Sequence, residues 1–328
     1  MRAEIDEIPD VIERQLREHS QHYAELGKAW RESPPVFFVT CARGTSDHAA
    51  LFFKYLTEIA TGIPVASLGP SLGSLYKPEL RLKGSQMLAI SQSGASPDLV
   101  ALAQAGRRGG AAVVTLLNVV PSPLSEAADR VLNVAAGPEC AVAATKSFLA
   151  TLTALCAIHA AHTEDTKLLD DLKKLPPLLY SILKDSGPVL DEVVQSRNVV
   201  CLGRGLTLSV ALEAALKLKE TCLVAAEGMS IAEFSHGPMA LARPGLTALV
   251  FAGNDESKMR ADETAARIAA SGATIRTFCV GKKAAALHPA VQPVLQIMAF
   301  YDLVQKLSLD LGLDPDSPPH LSKATLTV

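Results

Sequence analysis

Short, almost wholly apolar runs recur along this chain, each followed by a loop of small residues and then by a segment with helical spacing. Val36–Cys41 leads into ARGTS (42–46) and a helix through about Ala60, and Met87–Ile90 leads into SQSG (91–94). Ser96-Pro97 then reads as a helix N-cap with proline at the first helical position. Ala112–Val119 ends near Pro121, and Val131–Ala135 is a fourth run. A strand that is apolar along its whole length must be covered on both faces, which parallel sheets with crossover helices provide. The spacing therefore predicts an α/β fold.

The plan repeats downstream. Asn198–Leu202 leads into GRG (203–205) and a helix over Leu208–Thr221. Thr247–Ala252, a helix around Ser257–Ala270, the run Thr274–Val280 and a long closing helix over Val291–Leu311 follow. The match of "strand, ARGTS, helix" with "strand, GRGLT, helix" predicts an internal duplication. Glu164–Ser196, charged and carrying Pro176-Pro177 and Gly187-Pro188, reads as a helical connector. The expected division is an N-terminal helical arm over 1–34, a first domain over 35–184, a second over 185–314 and a tail over 315–328.

The bulk numbers narrow the function classes. A chain of 328 residues with 48% apolar content has the makings of two well-buried domains. A formal charge of −3 gives no basic footprint for nucleic acid. The six cysteines (Cys41, Cys140, Cys156, Cys201, Cys222 and Cys279) form no C-x-x-C, and most lie in apolar runs as small buried hydrophobes. The charged N-terminus has no signal-peptide pattern, so a reducing cytoplasm is expected. The longest apolar helix candidate, around Phe148–Ala161, is too short for a bilayer and carries His159. No membrane attachment is expected.

Residues 202–239 hold the densest chemistry. Glu213, Lys217 and Glu220 stand at i, i+4 and i+7, one charged stripe on a helix, and His236 follows in a His-Gly-Pro turn. Two readings stand at this level: a surface ion pair with a turn histidine, or a carboxylate, an amine and an imidazole assembled for proton transfer.

Two loops have the composition of anion sites. At the carboxyl ends of parallel strands, helix N-termini and small hydroxyl side chains bind phosphate without a basic residue. Ser91, Gln92, Ser93 and Ser96 supply donors there, Gly94 admits close backbone approach, and Gly44-Thr45-Ser46 is a second loop of this kind. Ordinary polar turns are the other reading. There is no Walker A pattern, and GRG at 203–205 lacks the third glycine of a dinucleotide fingerprint. His159 and His162, at i, i+3 on an apolar helix, read as core residues rather than metal ligands, and Asp47-His48 as helix capping. Lys323, taken alone, is a solvated tail lysine.

Taken together, ARGTSDHAA (42–50), SQSGASPDL (91–99), AGPECAVAATKSF (136–148), LEAALKLKE (212–220), EFSHGP (233–238) and HLSKATLTV (320–328) resemble the double sugar-isomerase (SIS) domain family. Within that family the motifs resemble the isomerase half of glutamine–fructose-6-phosphate amidotransferase. It covers about 36–328 with the motifs in the same order. It implies two tandem SIS domains, each a parallel sheet flanked by helices in a flavodoxin-like three-layer sandwich.

The resemblance also implies roles. Thr45, Ser46, Ser91, Gln92, Ser93 and Ser96 would contact phosphate and sugar, and Val142 would lie in the loop lining the sugar. Glu220 would shuttle a proton between C1 and C2, with Glu213 and Lys217 as supporting charges. His236 would assist ring opening from the neighbouring subunit of a homodimer. Lys323 would form a Schiff base with an open-chain ketose. No metal and no organic cofactor is implied.

Ala95 and Ala144 depart from the family, where an acidic residue and a serine are common. The chain reaches its sugar domain within about 35 residues of Met1, so no glutaminase domain is expected ahead of it. The expected function is that of SIS-type glucosamine-6-phosphate deaminase, giving fructose 6-phosphate and ammonia. The alternatives are a fructosamine-6-phosphate deglycase, an isomerase of another amino-sugar phosphate, and a non-catalytic sugar-phosphate sensor.

Overall fold

The computed structural model describes residues 1–184, 187, 190–278 and 282–323. It contains two parallel sheets flanked by helices. The first has strands β1 (Phe37–Cys41), β2 (Val65–Ser67), β3 (Ser85–Ser91), β4 (Ala112–Leu117) and β5 (Arg130–Asn133) in the order β2-β1-β3-β4-β5. The second has β6 (Asn198–Gly203), β7 (Ala226–Ser230), β8 (Leu246–Phe251) and β9 (Thr274–Phe278) in the order β7-β6-β8-β9. The second order repeats the first without its last strand, which gives the expected duplication a topological form. Both follow the flavodoxin-like order, in which the chain reverses direction between the first and third strands.

The chain divides into two compact units that are not contiguous in sequence. One comprises Asp10–Glu139, Lys146–Leu172 and the described tail from Ser322; the other comprises Met1–Pro9, Cys140–Thr145 and Lys173–Leu321.

In the first unit, alternation along the strands serves two cores. Val39, Cys41, Met87 and Ala89 pack with Leu99, Leu102 and Ala103 of the helix Pro97–Arg108. Phe38 points to the other face, where its ring meets Trp30 at 4.9 Å and Phe53 at 5.2 Å. The helices Ile8–Glu18 and Ser20–Glu32 cover that face, and the helix Lys146–Thr163 is buried on nearly every side. Gly27 allows the close crossing: a Cβ there would lie 2.2 Å from the carbonyl oxygen of Ile158. His159 and His162 are buried core residues, as their spacing predicts. Among the described residues no helix is long and apolar enough to cross a membrane.

In the other unit, Val200, Leu202, Ala248 and Val250 pack with Ile231, Phe234 and Ile268 on one face. On the opposite face Phe251 stacks on Phe278 at 4.8 Å and both meet Phe300 of the helix Gln292–Asp310.

Several expectations are adjusted. The short edge strands β2 and β7 escaped the pattern of apolar runs. Val36 and Val119 lie outside their strands and are exposed, and Val280 falls outside the described residues. His236 is not simply a turn residue: it ends a short helix, Ile231–His236, closed by Gly237. Cys41, Cys156, Cys201 and Cys222 are buried free thiols, but Cys140 is exposed. Burial pushes the Cys41 thiol up to about 12, the charge of Asp98 adding to it, so the thiolate is not available near neutrality.

Candidate active site

In the first unit the chain reverses between β1 and β3, and the loops after these two strands carry the hydroxyl residues. Thr45 opens the helix Thr45–Thr61, with Ser46 in its first turn and Gly44 before it at a φ of 53°. Ser91 ends β3, and its Oγ accepts the Gly94 N–H at 3.1 Å. Ser93 Oγ accepts the Ala95 N–H at 3.2 Å. Ser96 is the N-cap of Pro97–Arg108 in extended conformation and makes no side-chain capping bond there. Gln92, Ser93 and Ser96 are half-buried, within reach of a ligand.

The backbone of this loop is fixed from outside. Val119 N–H donates to Gln92 O at 3.1 Å and Leu124 N–H to Gly94 O at 2.9 Å. Gly94 has a φ of 63°, and a Cβ on it would fall 2.1 Å from Ser122 Oγ. Glycine is therefore required twice over, by conformation and by space. Arg43, after β1, holds the fully buried Asp98 in the first turn after β3 at 2.6 Å. This brace joins the two loops. Arg43 and Asp98 stand inside the quoted motifs, yet sequence reasoning passed over them in favour of the hydroxyls.

The same unit contains Lys323. Its Nζ lies 3.4 Å from Glu139 Oε2. Glu139, also missed from the sequence, is buried and accepts the Ser147 N–H at 3.0 Å and the Ser147 hydroxyl at 2.6 Å. Lys323 is thus a partly buried, paired lysine rather than a solvated tail residue.

In the other unit the stripe is formed as its spacing predicts, but it is not a surface pair. On the helix Leu208–Cys222, Lys217 Nζ lies 3.2 Å from Glu213 Oε1 and 2.5 Å from Glu220 Oε2. The side chains of Glu213 and Lys217 are 0% exposed, while that of Glu220 keeps 21%. Tyr301 donates its hydroxyl hydrogen to Glu213 Oε1 at 2.9 Å. Burial pulls the Lys217 pKa down, but the carboxylates of Glu213 and Glu220 more than offset this and hold it above its ordinary value. The result is a cation locked between two acids, one inside and one at the edge. Tyr301 had no local signal, sitting on a long apolar helix 88 residues from its partner.

Val142 lies in this unit, half-buried, with its N–H donating to Asp316 O at 3.1 Å. Glu4 Oε1 accepts the N–H groups of Cys140 and Ala141 beside it. His236 is exposed, and among the described residues no hydrogen bond or ion pair joins it to the Glu213–Lys217–Glu220 stripe.

Comparison with known proteins agrees with the motifs and the topology. The SIS domain family profile matches residues 38–161 and 192–286. The chain belongs to the SIS domain family. Isomerizing glutamine–fructose-6-phosphate aminotransferase of Thermococcus kodakarensis is 31% identical over 99% of this chain and 57% of its own length. The chain thus spans little more than half the length of the curated relatives it matches. A candidate phosphosugar isomerase from Silicibacter pomeroyi DSS-3 superposes with a TM-score of 0.89 at 39% identity, covering 96% of this chain and 99% of that one. Glucosamine-6-phosphate deaminase of Thermotoga maritima shares the fold, with a TM-score of 0.80 at 20% identity over 99% of each chain. Both matched segments contain one of the two sheets, and the SIS fold accounts for the position of the serine loops at the switch point of the first.

Proposed function

We propose that this SIS protein is an amino-sugar phosphate isomerase and deaminase, converting glucosamine 6-phosphate to fructose 6-phosphate and ammonia. The carrying observation is the graded burial of the Glu213–Lys217–Glu220 stripe. Glu220 keeps a solvent-facing edge while Lys217 and Glu213 fix it from behind, which is how a carboxylate is held in place to exchange protons with a substrate.

The serine loops after β1 and β3 bind the 6-phosphate and supply remote binding energy that orients the reacting carbons. His236 assists ring opening. Its exposure in the single chain suits a residue that completes the site of a neighbouring subunit in a homodimer. On the open-chain aldehyde, Glu220 removes the C2 proton, and the C1 oxygen gains a proton to give an enolamine. Glu220 then returns a proton to C1, leaving C1 reduced to an alcohol and C2 as a protonated imine. Water adds at C2 and ammonia departs, or Lys323 first displaces ammonia and water then frees the ketose. Val142 lines the sugar. Water is abundant and free ammonia is scarce, so mass action favours release of nitrogen over capture of free ammonia. The setting is the cytoplasm, where hexosamine phosphates and reduced thiols belong together.

The test is ammonia and fructose 6-phosphate measured together from glucosamine 6-phosphate, with a 6-phosphofructosamine run in parallel. Equal release of both products from the hexosamine supports the proposal. Turnover of the fructosamine alone moves the reading to a deglycase, and binding without turnover of either moves it to a sensor.

A further inference from the structure

Glu139 is a fully buried carboxylate side chain that touches the tail lysine, and its surroundings are built for it. After β5, the chain runs along the carboxyl edge of the first sheet, the edge that also carries the serine loops. Asn118, just past β4, fastens this segment twice: its side-chain N–H donates to Gly137 O at 2.8 Å, and its Oδ1 accepts the Ala136 N–H at 2.9 Å. Ala135 and Gly137 take positive φ values of 54° and 74° to make the turns. Glu139 then receives two hydrogen bonds from Ser147, backbone and hydroxyl, at the start of the helix Lys146–Thr163. A carboxylate so held has a fixed direction, and Lys323 Nζ meets its Oε2 at 3.4 Å.

We propose that Glu139 is the positioning residue for Lys323: it docks the C-terminal segment on the sheet edge that binds the phosphate and orients the lysine amine toward the open-chain sugar. The inference rests on the reading of Lys323 as a Schiff-base former and adds the group that makes a tail residue usable. An amine on a loose tail would lose the advantage of proximity, which a buried anchor restores. In the covalent step the neutral Lys323 amine adds to the protonated C2 imine, ammonia leaves as the new C2–N bond is kept, and water later adds at C2 to release ketose and amine. The ammonium of Lys323 must give up one proton before it attacks, and the departing nitrogen takes up one.

Glu139→Gln separates this role from a structural one, because the amide retains an acceptor for the Ser147 N–H and a donor for its hydroxyl oxygen. Fructose 6-phosphate is incubated with each variant and borohydride, and reduced adduct at Lys323 is counted by peptide mass spectrometry, with kcat and KM for glucosamine 6-phosphate alongside. The expected result is adduct at Lys323 in the wild type and at least a tenfold loss in Glu139→Gln. KM should stay within about threefold and thermal stability should be unchanged, and Glu139→Asp should recover part of the adduct. Equal trapping in wild type and Glu139→Gln overturns the positioning role while leaving the deaminase reading in place. No adduct at Lys323 in a wild type that still releases ammonia overturns this inference and the Schiff-base step together. A wild type that releases no ammonia but still traps fructose 6-phosphate at Lys323 overturns the deaminase reading alone.

Discussion

Tyr301 donates to Glu213 Oε1, the same oxygen that faces Lys217 Nζ 3.2 Å away. One buried carboxylate oxygen therefore serves a neutral donor on the Gln292–Asp310 helix and a cation on its own helix. Removing the tyrosine hydroxyl leaves a buried acceptor one partner short, which costs about 1–3 kcal/mol. Tyr301→Phe is expected to lower the thermal midpoint accordingly and to reduce activity less than any change at Glu220. Differential scanning calorimetry and the ammonia assay check both.

Lys217 is the more severe site. Replacing it by methionine leaves two carboxylates without their common cation, one of them 0% exposed. Breaking a buried pair in this way costs about 3–5 kcal/mol. Adding Glu213→Leu to Lys217→Met should recover part of the loss, because the uncompensated buried charge is then gone. Chemical denaturation of the single and double variants is the measurement, and a double variant no more stable than the single would count against this account of the stripe.

Gly94→Ala tests the phosphate loop. The added methyl would sit 2.1 Å from Ser122 Oγ on a backbone at φ 63°, so the loop must shift. kcat/KM for the sugar phosphate is expected to fall at least tenfold, with kcat lowered as well as KM raised, since a phosphate held less firmly also orients the reacting carbons less well. Inorganic phosphate as a competitive inhibitor should weaken in parallel.

His162 gives stability a pH dependence. Burial among Trp30 and Phe38, with the charge of Arg31 adding to it, holds its pKa below the ordinary 6.5. A folded-state value below the unfolded one means that its contribution is complete above pH 6.5 and is lost as pH falls from there through the folded value. Urea denaturation followed by the fluorescence of the single tryptophan, Trp30, is expected to show stability falling as the pH drops below about 6.5. His162→Leu should flatten that slope.

How far the sequence carried this picture depended on the range of the interactions. The runs that became β1, β3, β4, β6 and β8 are apolar because both faces of the sheet are covered there, and that pattern is local. β2 and β7 are edge strands, short and partly exposed; β7 reads AEGMS, with no alternation to mark it. The i, i+4, i+7 spacing of Glu213, Lys217 and Glu220 marked a stripe. Only packing against the closing helix decided that it lies inside, since the same spacing serves a surface ion pair equally well. Glu139 and Lys323 are 184 residues apart, and no local pattern joins them. Arg43 and Asp98 lay in plain view within two motifs, but a brace between loops is visible only once β1 and β3 are neighbours.

The most direct test of the central claim is the fate of the migrating hydrogen. Glucosamine 6-phosphate is turned over in deuterium oxide by the wild type and by Glu220→Gln, with ammonia quantified and deuterium at C1 of fructose 6-phosphate read by NMR. The wild type is expected to release ammonia and ketose in equal amounts with deuterium at C1. Glu220→Gln should still bind the sugar phosphate but lose about 100-fold or more of both signals, the scale of a lost general base. Wild-type rates of release and labelling in Glu220→Gln would contradict the assignment of Glu220 as the proton carrier.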